Sequence, residues 1–181
     1  TVRRPVSLLL VEPLVDDDVE LEAAGKIFRD VRRTVADVVS RHGGALSPES
    51  GVELIAAFGV DGAHEDGVVR AARAAVELRE ILRAREVDAR YAVGTGRILV
   101  EDARPVLVGA VVGRSRRALH DADANEIQLT EVAARALKSS DVCFVGIGAP
   151  SAACNLARLT HAPGITLIYE SGTIGTRPNI L

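Results

Sequence analysis

The sequence predicts an α+β fold: helices packed on a mixed, mostly antiparallel sheet, followed by a C-terminal β-α-β extension. Three observations carry this. Val6 to Val11 is an unbroken apolar run between Pro5 and Pro13, as expected of a strand covered on both faces. Two long segments, Val19 to Arg41 and Val68 to Arg85, repeat apolar residues at three- and four-residue spacings, the period of an amphipathic helix. Between and after them lie short apolar or alternating runs separated by Gly- and Pro-containing turns, the pattern of paired strands.

Taken in order, Pro13 ends the first strand and Asp16-Asp17-Asp18 forms a loop. An Asp there is suited to cap the next helix, and three adjacent carboxylates fit a solvated helix N-terminus better than a cation site. Ala24, Ile27, Phe28, Val31, Val35, Val38 and Val39 make one stripe along the helix that follows. Gly43-Gly44 supplies the left-handed conformation that closes it. Ala45-Leu46 and Glu53 to Phe58 pair as a hairpin across Ser47 to Gly51. Asp88 to Thr95 alternates like a strand, Gly96 is expected to turn it, and Arg97 to Val100 continues. Pro105 to Val112 reads as a strand containing Gly109, and Gly113 to Asp121 as a short helix. Glu126 to Leu129 is a strand, and Thr130 caps a helix reaching Lys138.

Bulk properties narrow the function classes. The chain has 181 residues and a net charge of −3, so nothing draws it generally to nucleic acid or an anionic membrane surface. Aromatics make up only 3%, which leaves Val, Leu, Ile and Ala to build the core. No apolar run is long enough to span a membrane. Cys143 and Cys154 form neither a disulfide framework nor a metal-ligand pattern. A cytoplasmic location, no metal and no cofactor are the resulting expectations.

Order and spacing over about the first 135 residues resemble a class III adenylate/guanylate cyclase homology domain. The stretches that carry the resemblance are Val6 to Val11, Arg41 to Gly59, His64-Glu65-Asp66-Gly67 with the helix after it, and Tyr91-Ala92-Val93-Gly94-Thr95-Gly96. Pro105 to Gly113 and Asn125 to Leu129 match more loosely. The resemblance implies a ferredoxin-like cyclase-type sandwich that normally dimerises. It also implies two metal ions held by two Asp carboxylates, which activate a ribose hydroxyl and neutralise a triphosphate. Those carboxylate positions fall on Glu12 and Val52. The purine-selecting Lys falls on Pro48. Counted from Gly113, the Asp after the helix-starting glycine falls on Arg114, the ribose-orienting Asn on Arg117 and the phosphate-stabilising Arg on Asp121. The implied domain has kept its scaffold and lost its catalytic groups. Arg116 and Arg117, in the cluster Arg114 to Arg117, remain candidate contacts for a phosphate-bearing ligand.

From about Thr130 the sequence changes character. Val145-Gly146-Ile147-Gly148-Ala149-Pro150, Leu156 to Pro163 and Leu167-Ile168-Tyr169-Glu170-Ser171-Gly172 resemble the N-terminal part of a family I CoA-transferase β subunit of the glutaconate or 3-oxoacid type. The resemblance implies that Glu170 is a nucleophile forming a glutamyl-CoA thioester, with Gly146 and Gly148 shaping the acyl site. The expected organisation is thus a cyclase-like domain over 1–137 and a partial transferase-like segment over 138–181. The expected function is a catalytically inactive regulatory or dimerisation domain, as in a multidomain bacterial signalling or transcription regulator. The alternative is a CoA-transferase fragment. Expected partners are a second copy or another domain of a larger regulator, with a nucleotide or CoA ester as ligand and neither nucleic acid nor membrane.

Overall fold

The strand expected at Val6 to Val11 runs the full length Val2–Pro13 (β1) and occupies the middle of the sheet. The computed structural model describes residues 2–48, 51–60, 66–101, 104–136, 142–145 and 166–169. After β1 come α1 (Leu21–Arg41), β2 (Gly44–Leu46), β3 (Leu54–Phe58), α2 (Gly67–Arg83), β4 (Ala89–Glu101), β5 (Arg104–Val106), α3 (Ala110–Asp121), β6 (Ile127–Leu129) and α4 (Glu131–Arg135). Strand order is β2-β3-β1-β4-β5, and β6 pairs with β4 to complete six strands. The four pairings along that path are antiparallel and β4–β6 is parallel, so the sheet is mixed, as expected.

The apolar run in β1 is continuous because each face of the sheet has its own core. Leu9 and Val11 pack with Val35, Val38 and Val39 of α1 and with Ala71, Leu78 and Leu82 of α2. Val6, Leu8 and Leu10 point the other way, to Val111, Val112 and Leu119 of α3. Leu8, Leu9 and Leu10 are fully buried, and each such side chain stabilises the fold by roughly 1.5–3 kcal/mol.

Three expectations are corrected. Gly96 does not turn the chain: β4 is one strand of 13 residues, with Gly96 paired to Val6 in its middle. The strand expected from Pro105 to Val112 stops at Val106, and the chain turns into α3 at Gly109, whose φ is +145°. A Cβ at Gly109 would lie 2.9 Å from the Arg97 carbonyl oxygen, so only glycine lets the backbone pass β4 this closely. No Asp caps α1. Its N-cap is Glu20, and Asp16 accepts from the Val19 N–H through its main-chain carbonyl while its side chain is solvated. The cap expected at Thr130 is present, with its Oγ1 accepting from Ala133 N–H at 3.3 Å.

Beyond α4, β7 (Val142–Val145) and β8 (Thr166–Tyr169) form a two-stranded parallel sheet, the pairing a β-α-β unit requires. Among the described residues these strands pair only with each other and add no strand to the six-stranded sheet. The helix of the expected β-α-β extension lies outside the described residues.

Candidate functional site

The C-terminal end of β1, the β2–β3 turn and α3 meet on the face of the sheet that α3 covers. Glu12 follows Val11, and the partner of Val11 across the β1–β3 ladder is Leu54. The ladder ends at that pair, and Glu53 is the last residue of the turn before β3. Across the other ladder, Glu12 pairs with Arg90 of β4. Arg90 Nη1 stands 3.8 Å from Glu12 Oε2. Arg116, on the second turn of α3, donates from Nε to Glu53 Oε1 at 2.8 Å. Both carboxylates are largely shielded, with Glu12 25% and Glu53 21% exposed.

The turn itself offers little chemistry. Val52 is 55% exposed and carries no donor, and Pro48 is exposed. The turn closes through Ser47 N–H donating to the Ile55 carbonyl at 2.8 Å and is tied to α1 by Arg32 reaching the Ser47 carbonyl.

The Arg114 to Arg117 cluster is not at a helix start, because α3 begins four residues earlier at Ala110. Its members separate by helical geometry. Ser115 is completely buried, while Arg116 and Arg117 are exposed. Arg114 is half-buried, and its guanidinium lies over Gly96. The glycine preceding α3 is Gly109, and Gly113 lies inside the helix. The carry-over counted from Gly113 therefore starts one turn too late. The same spacing from Gly109 places the Asp position on Ala110, the Asn position on Gly113 and the Arg position on Arg117. At these three positions the chain has Ala110, Gly113 and Arg117.

A second ionic group joins the two long helices. Glu77 of α2 accepts from Arg41 at the end of α1 and from His42 Nε2 at 2.7 Å. These hydrogen bonds, Arg41 first and then His42, hold the Glu77 carboxyl below its ordinary range. Among the described residues, no three His, Cys, Asp or Glu side chains converge as metal ligands. No helix there is long and apolar enough to cross a membrane.

Gly146, Gly148 and Glu170 lie outside the described residues. The strands before them are described, and the terminal residues Val145 and Tyr169 are register partners. Glu53 and Arg90 were not singled out from sequence. The hairpin register would have found Glu53, but nothing in the sequence marks Arg90.

Comparison with known proteins divides along the chain. The fold matches the monomeric guanylyl cyclase domain of the RhoGC fusion protein from the aquatic fungus Blastocladiella emersonii, with a TM-score of 0.66 and 15% identity over 73% of this chain and 84% of that one. It matches the guanylate cyclase domain of RhGC from Catenaria anguillulae, solved in complex with GTP, with a TM-score of 0.66 and 15% identity over 76% and 85%. It also matches the adenylyl cyclase CyaB from P. aeruginosa, with a TM-score of 0.60 and 17% identity over 70% and 76%. The fold is therefore the one shared by adenylate and guanylate cyclase domains. Residues 127–181 match the Coenzyme A transferase family. A 53-residue stretch, 29% of this chain, is 62% identical to a 3-oxoadipate CoA-transferase subunit of Pseudomonas knackmussii. The match spans 20% of that relative's length. The family match begins at Ile127, inside β6, so it overlaps the last strand of the six-stranded sheet.

Proposed function

We propose that residues 1–137 are a cyclase-fold domain without cyclase activity that serves as a regulatory or dimerisation module, and that residues 138–181 are a partial CoA-transferase segment joined to it. The observation that carries this reading is the content of the catalytic positions. Val52 supplies no metal ligand, and Ala110 and Gly113 supply neither carboxylate nor amide. The two-metal reaction needs both bridging carboxylates to activate one oxygen and stabilise another, so losing one removes the arrangement itself. Scaffold positions are intact: Gly94, Gly96 and Gly109 still allow the close approaches that build the α3 face.

A module of this kind works through assembly or ligand occupancy. Arg117, exposed on α3, is the remaining candidate contact for a phosphate-bearing ligand, beside Arg116. Titration of the protein with ATP and GTP tests the ligand arm. Millimolar or tighter binding that is lost in Arg116→Ala/Arg117→Ala supports it, and no binding of either nucleotide removes it. Sedimentation velocity over a concentration series tests the dimerisation arm, with a monomer throughout as the contrary result. The setting that accords with this reading is a larger cytoplasmic regulator.

A second reading is favoured by the 62% identity at the C-terminus. In it, the activity belongs to a CoA-transferase of which this chain carries one part. In sequence, Gly146 and Glu170 each follow one of the two paired parallel strands β7 and β8. Glu170 would take CoA from an acyl-CoA as a glutamyl thioester, releasing the donor acid as its carboxylate, and pass the CoA to a second carboxylate, which frees the Glu170 carboxylate again. Borohydride or hydroxylamine trapping after acyl-CoA addition tests this. Modification of Glu170 supports the second reading, and an unmodified peptide counts against it for this chain.

A further inference from the structure

We propose that two arginines hold the place of a cation at the end of β1: Arg90 and Arg116 neutralise Glu12 and Glu53, making a closed ionic cluster that takes no divalent metal. The inference rests on reading residues 1–137 as a cyclase-fold domain, whose fold family implies metal ions at this place. It deepens that reading by assigning a role to Arg90, which no resemblance marks, and a different role to Arg116.

The donor set is the first argument. Among the described residues, the carboxylates this corner presents are Glu12, on β1, and Glu53, where the turn enters β3. Each lies next in sequence to a member of the last β1–β3 pair, Val11 and Leu54. Each already has a counter-charge. Arg116 Nε donates to Glu53 at 2.8 Å, and Arg90 stands 3.8 Å from Glu12. Two carboxylates and two guanidiniums sum to no net charge, so a dication would bring uncompensated positive charge into a partly desolvated corner. Arginine suits the task because it stays protonated at any working pH and its planar fork matches a carboxylate edge.

Packing is the second argument. Both arginines are anchored by elements whose positions are fixed for other reasons. Arg90 is set by the β1–β4 register, which pairs it with Glu12 directly. Arg116 is set by the seating of α3, where Ser115 on one side and Val111 and Val112 below are buried. The Arg116–Glu53 pair ties α3 to the β2–β3 turn, and the Arg90–Glu12 pair ties β4 to β1. Glu12 Oε2 is buried with no hydrogen-bond partner, and the adjacent Arg90 Nε is likewise buried without one, so charge alone couples this pair.

Electron paramagnetic resonance of Mn²⁺ titrated with the full chain tests the proposal. The native protein is expected to show no saturable Mn²⁺ binding tighter than about 1 mM, whereas Arg90→Met/Arg116→Met, which frees both carboxylates, gains at least about tenfold in affinity. Native binding tighter than that limit and abolished by Glu12→Gln or Glu53→Gln overturns the proposal, as does a folded double variant that binds no better than native. If the double variant does not fold, the native chain still decides. The Arg116 Nε–H signal in ¹H–¹⁵N spectra is expected to shift in Glu53→Gln and to ignore millimolar Mg²⁺. A signal that shifts saturably with Mg²⁺ refutes the cluster. Metal binding without nucleotide turnover would refute the cluster alone and leave the loss of cyclase activity untouched.

Discussion

Ser115 and Gly94 are fitted to one another: the Ser115 hydroxyl occupies the space a Cβ on Gly94 would need. Two residues along β4 the same thing happens again, where a Cβ on Gly96 would lie 2.8 Å from Val111 Cβ. Gly94 and Gly96 point to the same face of the strand, so they form a bare track on which α3 rests. The track sets the height of α3 above the sheet, and with it the reach of Arg116 to Glu53.

Gly94→Ala is therefore expected to destabilise the protein by about 1–3 kcal/mol, the usual cost of overpacking a close contact. The Ser115 hydroxyl is fully buried without a hydrogen-bond partner, so Ser115→Ala alone should be neutral or mildly stabilising. The double variant should recover part of the Gly94→Ala loss, because the 2.1 Å clash with the hydroxyl is then gone and the new methyl group meets only Ser115 Cβ and Thr130 Cγ2, each at 3.3 Å. Urea unfolding of the four proteins checks this, and strictly additive effects would mean that the contact does not set the helix height.

Tyr91 has the other orphaned hydroxyl of interest, in the core between the sheet and α2, with no exposure and no hydrogen-bond partner. Tyr91→Phe should leave stability unchanged or raise it by about 1 kcal/mol, since it removes an unsatisfied polar group without altering shape. Burial pushes its ionisation well above the ordinary tyrosine range. In the unfolded chain Tyr91 would lose its proton near pH 10 while the folded chain keeps it, so the unfolded state binds fewer protons there and stability falls as pH rises past about 10. Tyr91→Phe should flatten that alkaline limb, which denaturant midpoints measured at neutral and alkaline pH will show.

Glu77 acts at the other end of the pH scale. Its carboxyl is held low by Arg41 and then His42, so the group stabilises the fold above the ordinary carboxylate range and that contribution is lost as pH falls through the lowered value. The carboxylate is about a third exposed, which limits the effect to a few tenths of a kcal/mol up to about 1 kcal/mol and makes it salt-sensitive. Glu77→Gln should lower stability at neutral pH by that amount and reduce the acid slope. An unchanged acid limb would mean that the Arg41–Glu77–His42 group contributes nothing measurable.

Much of the fold could be read from the sequence because its signals are local or periodic. The run from Val6 to Val11 and the stripe from Ile27 to Val39 announce burial directly. The two misread glycines were a different matter. Gly96 and Gly109 are needed for what they pass close to, α3 in one case and the Arg97 carbonyl in the other. A glycine that accommodates a distant neighbour looks, in sequence, like a glycine that turns the chain. Val52 and Pro48 could be read directly from the sequence, while the ion pairs beside them could not. Arg90 and Arg116 meet their carboxylates at separations of 78 and 63 residues, distances that only the strand register and the seating of α3 bring together.

The central claim is that this is the cyclase fold without the cyclase reaction. The direct measurement is incubation of the folded protein with ATP or GTP and Mn²⁺, with cyclic nucleotide quantified by mass spectrometry and folding verified by circular dichroism on the same sample. The expected result is no cyclic nucleotide above the protein-free control. Cyclic AMP or cyclic GMP that forms in proportion to protein and disappears in Glu12→Gln would contradict it.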